Sequence, residues 1–429
     1  MKTEILLDHE PVADGGWLLR AMLKIEGTQR ADENRVPLNL AIVLDRSGSM
    51  AGEKLAAAKE AARSLVQRLW PDDVVSVVAY DDEVLVVSEP ATGENQADLT
   101  GRIGAIGAGG MTNLSGGWLK GREFVAQGKR EGAVNRVMIL TDGLANRGVT
   151  DPNKLTGMCR SATADGITTT TIGFGAGYDE RLLTVMAEAG GGASYYIEHA
   201  DQATDVFEEE LEGLLSISAQ NLTVRIEPTA GNECARVWHK YPSSAEGDAL
   251  VLTVGDLYAR EPRHVLAEFL LKPAEEGEEE AEVEVATFTV TADVLTEEGN
   301  VEKHTVTLPI RLSPVEGGYT EPVVRKEMLH LQAAEAREKA LEDWRQGEYG
   351  RAQQTLRSVG LGIMNAPWAD DELREEAADL DLMAERSVPH VASEADRKYM
   401  HHRAEWTRKS KRMAAERVSR VRREEEKKP

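Results

Sequence analysis

The stretch Leu38 to Met50, LNLAIVLDRSGSM, constrains the fold of this chain more than any other. Its first half is a run of apolar and β-branched residues closed by polar ones and a glycine. That is the pattern of a central strand buried on both faces and ending at the edge of a sheet. Asp45, Ser47 and Ser49 follow at alternate positions, with Gly48 between the serines to permit a sharp turn. One carboxylate and two hydroxyls on a tight loop make an all-oxygen surface. Such a surface suits a hard divalent cation rather than zinc or copper.

Taken singly, a short polar loop of this kind also reads as an ordinary strand-end turn. Asp45-Arg46-Ser47-Gly48-Ser49 nevertheless resembles the metal-ion-dependent adhesion site of von Willebrand factor A domains. The resemblance implies two further ligands, a threonine after a glycine pair and an aspartate in a Thr-Asp-Gly at a strand end. The chain carries Gly109-Gly110-Met111-Thr112 and Ile139-Leu140-Thr141-Asp142-Gly143, in that order. Thr171 to Gly175 and Ala187 to Tyr196 are similar to the back half of the family domain. The implied ligand set is Asp45, Ser47, Ser49, Thr112 and Asp142, with Thr112 as the switchable ligand and one aspartate acting through water. The implied cation is Mg²⁺, with Mn²⁺ or Ca²⁺ as alternatives. Mg²⁺ wants near-octahedral oxygen ligands at about 2.0–2.1 Å and keeps waters. The set therefore leaves a position that a partner's Asp or Glu carboxylate would fill.

From Val36 to Leu215 helical and strand patterns alternate, which predicts a doubly wound, mostly parallel sheet. Helix 53–69 places Leu55, Ala58, Ala62, Leu65, Val66 and Leu69 on one face. The motif residues fall at strand ends or just past them, where such sheets bind ligands. Residues 219–312 read instead as short strands separated by turns or acids, a β-sandwich pattern, and Glu275 to Glu284 as a solvated hairpin tip. Beyond Pro314 the pattern is helical: 321–346, 348–359, 370–386 and 394–426. The first two helices resemble one hairpin of a tetratricopeptide-type repeat, but no second copy follows, which favours a small bundle. The expected architecture is α/β. A doubly wound, Rossmann-like von Willebrand A domain spans 36–217, and a sandwich spans 218–314. Residues 1–35 supply strands that complete the sandwich, and an α-helical region with a basic tail spans 315–429. This arrangement resembles cytoplasmic bacterial members of the family.

The net charge of −24 is uneven, with a local excess of positive charge from Arg397 to Pro429. An acidic body argues against nucleic acid as the main partner. The tail reads first as a solvated helix of mixed charge and second as an electrostatic contact. Cys159 and Cys234 fit no paired spacing and read as buried small residues of a reducing compartment. No secretory leader pattern and no run of the roughly 18 apolar residues of a membrane span is present, so a cytoplasmic location is expected.

Neither GxxxxGK[ST], nor GxSxG, nor HExxH occurs, and no histidine lies in the metal loops. His401-His402 sits on a charged helix and reads as exposed; Asp81 and Asp82 read as turn residues, and Arg46 is compatible with either a partner contact or solvent. The leading expectation is a non-catalytic, Mg²⁺-dependent protein-interaction module. In the family such modules often work beside AAA+ ATPases. The alternatives are a metal-dependent phosphoester hydrolase, which lacks a visible general base, and a scaffold with a purely structural metal.

Overall fold

The computed structural model describes residues 1–13, 16–28, 35–93, 96–130, 132–175, 177–259, 261–271, 283–296, 301–312 and 318–410. The glutamate-rich stretch around Gly277 and the chain after 410 lie outside them. The chain forms two compact units, one of residues Met1–Thr28, Asn221–Ala292 and Lys303–Pro429, the other of Gln29–Gln220 and Asp293–Glu302.

The first unit opens with an antiparallel hairpin of β1 (Lys2–Pro11) and β2 (Trp17–Glu26), paired without a break from Lys2↔Glu26 to Pro11↔Trp17. Leu19, Ala21, Leu23 and Ile25 of β2 are all buried, as their alternation requires.

The α/β unit runs β3 (Leu38–Asp45), α1 (Glu53–Gln67), β4 (Val74–Tyr80), β5 (Val84–Thr92), α2 (Gln96–Gly104), α3 (Leu114–Gln127), β6 (Val134–Thr141), α4 (Pro152–Ala164), β7 (Thr168–Phe174), α5 (Glu180–Ala189), β8 (Gly191–Ile197) and α6 (Ala203–Leu215). Its sheet has the order β5-β4-β3-β6-β7-β8. Only β5 is antiparallel to its neighbour. Every residue of β3, β6 and β7 is buried, because helices cover both faces. The threonines of β7 survive that burial by pairing: Thr168 Oγ1 donates to Asn135 O and Thr171 Oγ1 to Leu183 O, while Thr169 Oγ1 accepts from Trp118 Nε1.

This topology places the site. The chain leaves β3 toward β4 on one side, and β6 joins β3 on the other, which makes the β3/β6 boundary a switch point. The parallel register sets Leu44 opposite Leu140, so Asp45 and Thr141 leave the sheet side by side. Asp45 also faces Tyr80 at the end of β4.

The chain continues with β9 (Ile217–Pro228), β10 (Glu233–Val237), β11 (Ser243–Glu246), β12 (Ala249–Tyr258), β13 (Arg263–Leu271), β14 (Val283–Leu295) and β15 (Val301–Leu312). Two sheets result, β1-β2-β13-β10 and β11-β12-β9-β14-β15. They meet through Phe269 on β13 and Phe288 on β14, whose rings are 6.3 Å apart. Helices α7 (Pro322–Arg345), α8 (Tyr349–Met364), α9 (Asp371–Arg386) and α10 (Glu394–Arg408) complete the first unit. Leu341, Trp344, Ala352, Leu356, Leu380 and Met400 share one core among them. Met22 and Leu266 pack on Val324 and Leu331 of α7.

Three expectations are corrected here. His402 is buried, at 2 % exposure, and α10 is no solvated helix over its described length. Its charged groups go inside because they are paired: Arg403 with Glu376, Asp396 with Arg386, and Arg408 Nη1 with Trp238 O. Glu376 also receives Arg337, which holds Asp379 at 2.6 Å, and Tyr399 Oη donates to Asp379 at 2.6 Å. Cys234 is half-buried rather than buried, whereas Cys159 is in the core. Strands β10 and β11 carry no expectation in the sequence reading and are additions to it.

Candidate metal centre

Three loops at the carboxyl ends of β3, β6 and the β4–β5 hairpin meet the loop that precedes α3. Asp45 is fully buried at the end of β3. Its Oδ1 accepts from Ser47 N at 2.8 Å and its Oδ2 from Thr141 Oγ1 at 2.6 Å. Ser47 Oγ lies 3.1 Å from Ser49 Oγ, and Ser49 Oγ donates to Asp142 Oδ1 at 2.6 Å. The chain of contacts therefore runs from the first loop to the end of β6 without a gap.

Thr112 enters from the other side. A side-chain carbon placed on Gly143 would stand 3.3 Å from Thr112 Oγ1 and 3.6 Å from Ser49 Oγ. Both hydroxyls thus face the same small cradle, which a larger residue at 143 would fill. The two loops are fastened together by Thr112 N on Asn146 Oδ1 at 2.9 Å and by Asn146 N and Arg147 N on Thr112 O.

Asp81 holds the glycine loop in place. Its Oδ2 accepts from Gly110 N at 2.9 Å and pairs with Arg46 at 2.9 Å, its Oδ1 accepts from Glu83 N at 2.9 Å, and its carbonyl accepts from Asn113 N. Burial tends to raise its pKa, but the bonds from Gly110 and Glu83 and the Arg46 charge together outweigh it and hold the carboxyl below its usual range. The glycine pair follows from this clasp. A side chain on Gly109 would meet Asp81 Oδ2 at 1.8 Å, and one on Gly110 would meet Asp82 Oδ1 at 2.0 Å. Asn113 then caps α3 by accepting from Gly116 N.

The structure thus brings Asp45, Ser47, Ser49, Thr112 and Asp142 to one place. Arg46 belongs to the Asp81 clasp, and Asp81 is both the turn residue expected and the anchor of the threonine loop. Sequence reasoning passed over Thr141, Asn146 and Lys54. Thr141 stands in the Thr-Asp-Gly itself, so a signal was present. Lys54, on the first turn of α1, gives none; its Nζ contacts Asp142 Oδ2 at 2.5 Å.

The donor set fits a hard divalent cation. It consists of two carboxylates and three hydroxyls, all oxygen. Burial, with the Asp142 charge adding to it, raises the Asp45 carboxyl above its ordinary range against the bonds from Thr141 and Ser47. The neighbouring Tyr80 hydroxyl is pushed well up by burial and then by the Asp45 charge. A cation here would relieve the cost that burial imposes on Asp45. Among the described residues no group of three or more His, Cys, Asp and Glu is arranged to hold a metal.

A six-stranded doubly wound sheet with an oxygen-lined crest at its switch point defines a class of α/β domain. Within that class, residues 39–209 match the family model of the von Willebrand factor type A domain, and this stretch of the chain has that fold. The chain is 31% identical over 225 residues to "Uncharacterized protein sll0103" of Synechocystis sp., covering 52% of this chain and 53% of that protein. It is 28% identical over 212 residues to YfbK of Escherichia coli, covering 48% and 37%. The chain thus spans about half and about a third of these relatives. A von Willebrand factor type A protein from Catenulispora acidiphila superimposes with a TM-score of 0.70 at 16% identity, covering 94% of this chain and 96% of that one. At that identity the likeness is one of fold, and it includes the additional sheets and the carboxyl-terminal helices. Domains of this family generally mediate protein–protein interactions, and they often bind a divalent metal.

Proposed function

We propose that the protein is a divalent-cation-dependent protein-binding module. Ser47, Ser49 and Thr112 would offer hydroxyls to Mg²⁺ or Mn²⁺, and Asp45 and Asp142 would offset its charge. The bound cation supplies one thing, a Lewis-acidic position that accepts an Asp or Glu carboxylate from a partner protein. No bond is made or broken. The observation that carries the reading is the unbroken contact chain Asp45–Ser47–Ser49–Asp142 with Thr112 facing the same cradle. Around it Asp81 and Asn146 hold the loops, so that the chain's own residues orient the ligands. An adaptor role beside an AAA+ ATPase belongs to this proposal through resemblance. A cytoplasmic setting is supported by two free thiols, of which burial pushes Cys159 up to about 12 and Cys234 to about 11. No helix of the described residues is long and apolar enough to cross a membrane.

A pull-down from host lysate tests the reading, run in Mg²⁺, in EDTA, and with Thr112→Ala in Mg²⁺. The expected result is a protein retained only by the parent chain with metal. Identical retention in all three arms would make the cation structural and move the binding surface elsewhere.

A further inference from the structure

We infer that Lys54 is a built-in counter-ion of this centre and sets how tightly it takes a divalent cation. The inference rests on the cation reading above. Asp142 is buried to 0 % side-chain exposure, and each of its oxygens is engaged. Oδ1 takes the Ser49 hydroxyl at 2.6 Å and Oδ2 takes the Lys54 ammonium at 2.5 Å. Lys54 reaches it by a short path. It stands two residues after Gly52, next to Leu55, whose burial fixes the first turn of α1. Its stem passes the turn at Gly175, where an added side-chain carbon would meet Lys54 Cε at 3.6 Å. The lysine side chain is 37 % exposed, so the ammonium reaches the carboxylate from the solvent side.

The consequence is one of charge. Asp45 and Asp142 carry the negative charge of the centre, and Lys54 cancels part of it. Arg46 does not, because Asp81 already holds it. A divalent cation added beside Lys54 leaves the centre net positive, and a partner's carboxylate restores neutrality. Without Lys54 the cation alone would balance the two aspartates. The lysine therefore weakens the hold on the bare cation and strengthens the demand for an acidic partner. A compact ammonium acts here as a point charge, so a substitution that keeps the positive charge is expected to keep most of the effect.

The test is a calorimetric titration of Mn²⁺ into the full chain at fixed ionic strength, comparing the parent with Lys54→Met and Lys54→Arg. Circular dichroism confirms that all three fold alike. Lys54→Met is expected to bind Mn²⁺ at least about tenfold more tightly, a gain of ~1.4 kcal/mol, with Lys54→Arg within about threefold of the parent. Equal or weaker binding by Lys54→Met, with the parent binding Mn²⁺ normally, overturns this inference alone. A parent chain that takes no Mn²⁺ at millimolar concentration overturns the cation reading and this inference with it.

Discussion

His402 makes the stability of the helical bundle depend on pH. Its imidazole lies inside α10 beside the Trp406 ring at 5.8 Å, and burial pushes it from 6.5 down to about 3. The neighbouring charges of His401, Lys398 and Lys409 press the same way, and Glu405 opposes them. In the unfolded chain the ring takes a proton near pH 6.5, whereas in the folded chain it stays neutral until about pH 3. The unfolded state therefore binds more protons across that interval, and stability falls as the pH is lowered through it. The slope approaches about 1.4 kcal/mol per pH unit, so between pH 7 and pH 5 the loss is about 2 kcal/mol. The depressed carboxylates act lower. Glu405, held at about 2 against its own burial chiefly by the Lys409 charge, contributes stability that is lost only as pH falls through the carboxylate range. His9 is also lowered, mainly by burial, so the measurement must be a difference. Urea unfolding at pH 7 and pH 5, read through amide exchange in α10, should show His402→Leu losing about 2 kcal/mol less than the parent over this window. Equal losses in the two proteins would mean that the ring titrates as an exposed one, and the buried placement of the inner face of α10 would be wrong.

Thr141→Val keeps its volume but removes the hydroxyl that Asp45 Oδ2 accepts from at 2.6 Å. The α/β unit should lose about 1–3 kcal/mol in denaturant unfolding with EDTA, and an unchanged midpoint would count against that bond. Glu376→Ala removes the carboxylate that the buried Arg403 guanidinium contacts and leaves Arg337 with Asp379 alone. It should cost the helical unit about 3–5 kcal/mol in thermal or urea unfolding, and a loss below 1 kcal/mol would show the pair to be hydrated.

How much of this was legible in the sequence depends on whether a residue's role was local. Strand β3 and the Asp-x-Ser-x-Ser loop were readable because a continuous apolar run must be covered on both faces and its polar end must leave the sheet. Thr112 and Asp142 were readable for the same reason, each standing just past a recognisable element. Where the role is set by a distant neighbour, periodicity carries no trace of it. Strand β11 exposes all four of its residues, so it has no inward face to betray it. The charged face of α10 reads as solvated until Glu376, on α9, is known to receive Arg403. Asp81 looked like any hairpin aspartate, and its second oxygen acquires meaning only when the glycine loop folds over it. Lys54 is the sharpest case. It is one lysine of a helix rich in alanine and charge, and its contact lies 88 positions away. The ligands of the candidate centre are thus written in local motifs, whereas the groups that tune and brace it are written only in the fold. Variation at the second set is therefore where chains with the same five candidate residues are expected to differ in cation affinity.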